Sequence, residues 1–310
     1  MSMEPAVRNV AGSRPLTSRR WERFYPAAGF VVLCLAPAVS VWGLVHSFLA
    51  MVFRNDTFAY IPLIPVASFY LVYVERKSIF ATISYGWRTG SALVVPGAAC
   101  LAMAQLKSWQ WRPENQISLL MLGFVLLWAG AFALFFGDRA FHSALFPLLF
   151  LGFAIPVPEP ALSQAVSVLQ HSSATAAESL FRLFGVAFLR RDLDFMLPGV
   201  TIRVAEECSG IRSTLALLIT TALASYLFLR DPWRRLLLCL VVVPIAIVKN
   251  GLRIVILSTL AVYVDPRFLT GNLHHRGGVV FFILGLLPLA LLLFLLQKGE
   301  KRSSAVAGRA

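Results

Sequence analysis

The sequence predicts an all-α polytopic membrane protein. It has about eight transmembrane helices, with one amphipathic helix and a short β-hairpin in the outer loop before helix six. Three observations carry this reading. Hydrophobic residues make up 58% of the 310-residue chain and charged residues 14%, and the mean hydropathy is +0.75. A soluble domain has about a quarter of its residues charged, enough to form a polar shell; here the bilayer has to be the solvent for most of the surface. Apolar segments recur at 27–50, 58–74, 90–106, 117–136, 143–157, 211–229, 236–262 and 278–297. Each is near the ~20 residues a spanning helix needs, although the fifth is short and bounded by proline. The Lys and Arg residues between them favour alternate connections, the inner ones.

Taken in order, residues 1–25 form a basic tail with Arg8, Arg14, Arg19, Arg20 and Arg23, expected to be disordered and cytoplasmic. The first apolar run is long enough to span and follows a long basic lead, so it reads as a retained helix rather than a cleaved signal. With the N-terminus inside, the inner connections hold Glu75-Arg76-Lys77 with Arg88, then Asp138-Arg139, then Arg230-Asp231-Pro232-Trp233-Arg234-Arg235. The tail at 299–310 adds Lys301, Arg302 and Arg309 just after Lys298. The outer loops hold Arg54-Asn55-Asp56 and the stretch from Lys107 to Asn115. That is the positive-inside pattern with both termini cytoplasmic. The net charge of +13 therefore points to anionic lipid headgroups. Nucleic acid is excluded as a partner, because no basic, aromatic-interleaved soluble segment exists.

One outer connection, 156–210, is unlike the others. Leu162, Ala165, Val166 and Leu169, then Leu180, Leu183 and Phe184, recur at helical spacing. Gln164, Gln170, His171, Ser172 and Glu178 interrupt them. That stretch is too polar to span and is expected to lie on the membrane surface as an amphipathic helix. Pro198-Gly199 then separates two short β-prone runs, Asp194–Leu197 and Val200–Val204, which reads as a hairpin or tight turn. The chain goes straight on into Glu206-Glu207-Cys208-Ser209-Gly210.

Ionisable groups in the bilayer are costly and mark functional sites. Of four cysteines, Cys34, Cys100 and Cys239 sit inside apolar runs as small hydrophobes, with no CxxC spacing. Cys208 instead stands where the outer loop enters span six. A helix N-terminus there would lower its pKa and favour the nucleophilic thiolate; the alternative is a small residue at a packed helix start. Arg253 lies about 26 Å along span seven, near the outer boundary. It shares a helix face with Lys249 and Asn250, and that stripe should face the protein interior or a water-filled cavity. Its guanidinium suits an oxyanion or a substrate carboxylate; the alternative is a snorkelling arginine. His274 and His275 precede span eight, again on the outer side, as an acid/base pair of candidates or as exposed loop histidines. No HExxH pattern or other ligand cluster accompanies them, so neither a metal nor any other cofactor is expected. Topology set by Lys and Arg elsewhere thus brings a nucleophile, an oxyanion donor and a proton carrier to one face of the membrane, which is what acyl transfer needs.

These segments resemble the exosortase/archaeosortase family. EECSGIRS around Cys208, NGLR from Asn250 to Arg253 and LHHRGGVVFF at His274 stand in the family's order. PLLFLGFAIPVPE, LQHSSATAAESLFRLFGV and RRDLDFMLPGVTIRVAEECSG lead into them. The likeness is good over roughly 145–283, while the first half matches in hydropathy. One departure is that Asp56-Thr57-Phe58-Ala59-Tyr60-Ile61-Pro62 has no histidine where relatives carry a Tyr-Ser-His-Gly-like segment.

The resemblance implies a transmembrane cysteine transpeptidase in a bacterial cytoplasmic (inner) membrane, with its site on the periplasmic or extracellular side. Its partners would be secreted proteins carrying a C-terminal PEP-CTERM-like signal (short motif, membrane helix, basic cluster), the membrane lipid, and an acceptor such as a glycan or lipid. Residues 26–298 would form a single exosortase-like domain. Cys208 would be the nucleophile, Arg253 the oxyanion stabiliser and His274 the general acid/base, with His275 the second choice. His274 is favoured because Gly278 follows four residues later, as in the family. Glu206, Glu207 and Asn250 would support them, the two glutamates by orienting His274, by binding Arg253, or structurally. Hydrolysis without transfer uses the same residues; a transporter or a glycan polymerase would need no catalytic cysteine.

Overall fold

The computed structural model describes residues 16–54, 58–106, 112–204, 209–265, 267 and 278–307, with side chains from residue 26 to residue 301. The chain forms two compact units, Met1–Pro156 and Val157–Ala310.

The first unit is helical: α1 (Leu16–Ser40), α2 (Trp42–Arg54), α3 (Leu63–Val74), α4 (Arg76–Ile79), α5 (Trp87–Gln105), α6 (Pro113–Phe136), α7 (Asp138–Ser143) and α8 (Leu145–Phe150), followed by a 3₁₀ turn at Leu151–Ala154. Its spine is the α5–α6 pair. A β-carbon at Gly97 would come 3.1 Å from the Gly123 carbonyl oxygen, and one at Gly130 would come 3.0 Å from the Gly90 carbonyl oxygen. In lipid, helices gain little from hiding apolar surface, so close backbone approach through small residues is what holds them together. Phe30, Phe80, Phe132 and Phe136 interlock beside this pair at ring separations of 4.9–6.2 Å. The buried Ser68 hydroxyl donates to the Pro147 carbonyl at 2.8 Å and ties α3 to α8.

The second unit begins with α9 (Glu159–Leu183), continues through β1 (Leu189–Arg191), β2 (Asp194–Leu197) and β3 (Val200–Arg203), and ends with α10 (Ile211–Phe228), α11 (Pro232–Tyr263) and α12 (Gly278–Ala307). The strands form one antiparallel sheet in the order β1-β2-β3. Pro198 presets φ in the second turn and Gly199 takes the positive φ of 77° that closes it. Arg190 fastens this sheet to α9 by an ion pair of 2.7 Å with Glu178, and its Nε donates to the Asp192 carbonyl at 2.7 Å. Phe195 of β2 is fully buried against Phe181 of α9, with Phe188 completing the triad.

At one end of the unit, Glu300 of α12 accepts hydrogen bonds from the backbone N–H groups of Arg230 and Asp231 at 2.9–3.1 Å. Asp231 in turn caps α11 by accepting from the Trp233 N–H at 3.0 Å. The connection between α10 and α11 is thereby fixed to the last helix.

Two expectations change. Among the described residues, by length and composition, four helices, α6, α10, α11 and α12, can cross a membrane, or up to six if each of two bent helix pairs is one span. That is fewer than the eight expected. The first apolar run turns by 88° between α1 and α2, α3 has 12 residues, and the fifth run holds only the six residues of α8 plus the 3₁₀ turn. Prolines within or beside these runs interrupt the hydrogen-bond ladder a span requires. Second, the small sheet has three strands, because Leu189–Arg191 adds an edge that its polar composition did not announce. Helix α9, read as amphipathic, packs its inner face on α11. Ala174, Ala177 and Phe181 are fully buried with Ile254 and Val255 of α11 in one cluster.

Candidate active site

Helix α11 carries the polar stripe, and its neighbours explain where each side chain points. Gly251 admits α9: a β-carbon there would sit 2.8 Å from Ala176 Cβ and 3.0 Å from the Ala177 backbone nitrogen. With α9 closed on that side, Lys249 and Asn250 turn inward and are 5% and 1% exposed. A stripe this polar is tolerated at such depth only when protein surrounds it.

Asn250 meets the entry to α10. Gly210 takes the left-handed conformation at φ 76° and stands as the residue before that helix. A β-carbon on it would lie 2.9 Å from Asn250 Oδ1 and 3.0 Å from its Cγ. Glycine is required twice over, for the positive φ and for the space the amide occupies. The Gly210 carbonyl accepts from the Thr214 N–H at 2.9 Å, the Thr214 hydroxyl at 2.9 Å and the Ser213 hydroxyl at 3.0 Å. Ser209 is buried, and its hydroxyl accepts from the Ile211 N–H at 3.4 Å.

Arg253, one turn beyond Lys249, is half-buried. Its guanidinium carbon is 5.9 Å from the centre of the buried Phe281 ring, within cation–π range. Phe281 belongs to the first turn of α12, the helix that begins at Gly278. Lys249 donates to the Ser213 hydroxyl of α10 in a short hydrogen bond. Gly285 of α12 leaves room for its stem, since a β-carbon there would be 3.2 Å from Lys249 Cδ.

Thus Asn250 of the NGLR segment touches Gly210 of the CSG segment, and Arg253 touches the helix that follows the two histidines. Cys208, Glu206, Glu207, His274 and His275 lie outside the described residues. Among the described residues no group of His, Cys, Asp and Glu is arranged to hold a metal ion.

Sequence reasoning missed Gln170 and Gly251. Gln170 was read as an interruption of an apolar face. It is 7% exposed, and its Nε2 donates to the Val204 carbonyl at 3.1 Å. The same Val204 donates its N–H to the Leu193 carbonyl at 3.0 Å. The last residue before the Ala205–Cys208 stretch is therefore held by both α9 and the sheet. The available signal was a single amide set among Leu169, Ala174 and Ala177 on one helix face.

A buried ammonium and amide and a half-buried guanidinium on an apolar helix, closed in by three others, define a transmembrane protein with an internal polar site. The model of the transmembrane exosortase family matches residues 50–291. The chain belongs to that family, a family of cysteine transpeptidases. No curated protein and no solved structure matches it.

Proposed function

We propose that the protein is a membrane-embedded cysteine protease/transpeptidase. It cleaves a PEP-CTERM-like C-terminal signal from secreted proteins at the outer face of a bacterial inner membrane, and transfers them to a glycan or lipid acceptor. The observation that carries this reading is the contact between Gly210 and Asn250. It joins the CSG segment, to which Cys208 belongs in sequence, to the helix of Arg253.

In this mechanism the signal's apolar helix docks among the spans, and the Cys208 thiolate adds to the carbonyl carbon of the scissile peptide. Arg253 donates to the oxyanion that forms. The tetrahedral adduct collapses to a thioester as the C–N bond breaks, and His274 gives its proton to the departing amine. His274 then takes a proton from the acceptor as that nucleophile attacks the thioester, the C–S bond breaks, and the thiolate is freed for the next cycle. Asn250 orders the entry turn, and Glu206 or Glu207 orients His274 or Arg253. Both termini are cytoplasmic in this arrangement, in keeping with the Lys and Arg bias of the short loops.

The test is co-expression with a secreted reporter ending in Pro-Glu-Pro, an apolar helix and an arginine cluster. Cys208→Ala should abolish processing while the protein still purifies as a monodisperse species. Full processing by that variant would end the nucleophile assignment. Reporter released free into the medium, with no lipid- or glycan-linked product, would replace transfer by hydrolysis.

A further inference from the structure

Lys249 has no place in the mechanism above, yet it is the most unusual buried group among the described residues. An ammonium at 5% exposure ordinarily needs a carboxylate partner, because desolvating a lone charge is costly. Here its hydrogen bond goes to a hydroxyl, Ser213 Oγ. A second cation, Arg253, stands four residues along the same helix, a spacing at which like charges repel. A purely structural site would be better served by an apolar residue.

The hydroxyl shows what the lysine serves. Ser213 has one proton, and it is given to the Gly210 carbonyl at 3.0 Å. Ser213 must therefore accept from Lys249, which has only protons to give when charged. The chain is directed: ammonium to hydroxyl to carbonyl, ending on the one residue held in the left-handed conformation against Asn250. A charge at the tail polarises each bond ahead of it. Thr214 adds its N–H and its hydroxyl to the same carbonyl, so the Gly210 peptide is fixed from the helix side, and Gly285 keeps the space the lysine stem fills.

We infer that Lys249 is a positioning residue that acts through Ser213 to hold the Gly210 turn, and with it the approach of the chain to the reacting centre. This rests on the reading of Cys208 as nucleophile.

The experiment is a double-mutant cycle of Lys249→Met and Ser213→Ala in full-length protein reconstituted in liposomes, with two readouts. One is kcat and KM for the Pro-Glu-Pro reporter. The other is the N-ethylmaleimide alkylation rate of Cys208 in a background with Cys34, Cys100 and Cys239 replaced by alanine. Methionine matches the lysine stem in size and removes the buried charge, and Ser213→Ala deletes one hydroxyl, so both proteins should fold. Each single variant should lower kcat at least tenfold with KM within twofold, and the double variant should be no worse than either. The alkylation rate should change by one common factor in all three, and Ser213→Thr should restore both readouts. Losses that multiply in the double variant, or kcat and alkylation within twofold of the parent in Lys249→Met, would overturn the inference. If the parent does not process the reporter, or Cys208→Ala does, the function reading fails instead. The alkylation cycle then still decides whether Lys249 and Ser213 act as one unit.

Discussion

The backbone of Gly210 lies against the side-chain amide of Asn250, with 2.9 Å between the site of a missing β-carbon and Asn250 Oδ1. Two segments some forty residues apart in sequence thus meet at the mouth of α10. Gly210→Ala should fail on two counts. The positive φ costs about 1–2 kcal/mol for an L-residue, and the methyl group would push Asn250 away. The expected result is a processing rate at least tenfold down with the protein still inserted, measured by reporter cleavage and by melting of the purified protein.

Arg253→Lys keeps the charge and removes the planar fork. If the guanidinium binds the oxyanion, kcat should fall by about 10²–10³, the usual cost of losing one such donor, with KM little changed. A loss confined to KM would assign Arg253 to binding the substrate's ground state instead.

Gln170→Leu removes the donor to the Val204 carbonyl and leaves that oxygen unpaired. A buried polar group so orphaned costs about 1–3 kcal/mol. The variant should melt lower and process more slowly, and Gln170→Glu, which offers no N–H when ionised, should not rescue it. Thermal unfolding followed by tryptophan fluorescence checks the first effect, and reporter cleavage the second.

Gly251→Val places a branched side chain where Ala176 Cβ would be only 2.8 Å from its β-carbon. Because α9 cannot move without its Phe181–Phe195 contact, overpacking should cost about 1–3 kcal/mol or more. Reduced yield of monodisperse protein, with Gly251→Ala intermediate, is the expected readout.

The sequence made the polar stripe of α11 legible because Lys249, Asn250 and Arg253 recur with a helical period inside an otherwise apolar run. It also made clear that α10 begins just after Ser209-Gly210. The role of α9 was not legible. Ala176 and Ala177 stand out in neither its apolar nor its polar set, whereas in the fold they form the thin face that lets Gly251 come close. Small residues carry little hydropathy signal, yet between helices in lipid they decide packing. The same blindness affects α5 and α6, whose glycines look like flaws in an apolar pattern and act as the contact itself. The breaks at Val41 and after Phe150 were not legible for a related reason: hydropathy reports how apolar a run is, and such breaks depend on local backbone geometry.

The Glu300 carboxylate, lodged on the N–H groups of Arg230 and Asp231, bears on how the protein can be engineered. Affinity tags and fusion partners belong after residue 307. A shortened version ending before residue 300 would strip the α10–α11 connection of its anchor some seventy positions upstream, so a seemingly harmless trim at one terminus would register as a defect in the middle of the chain.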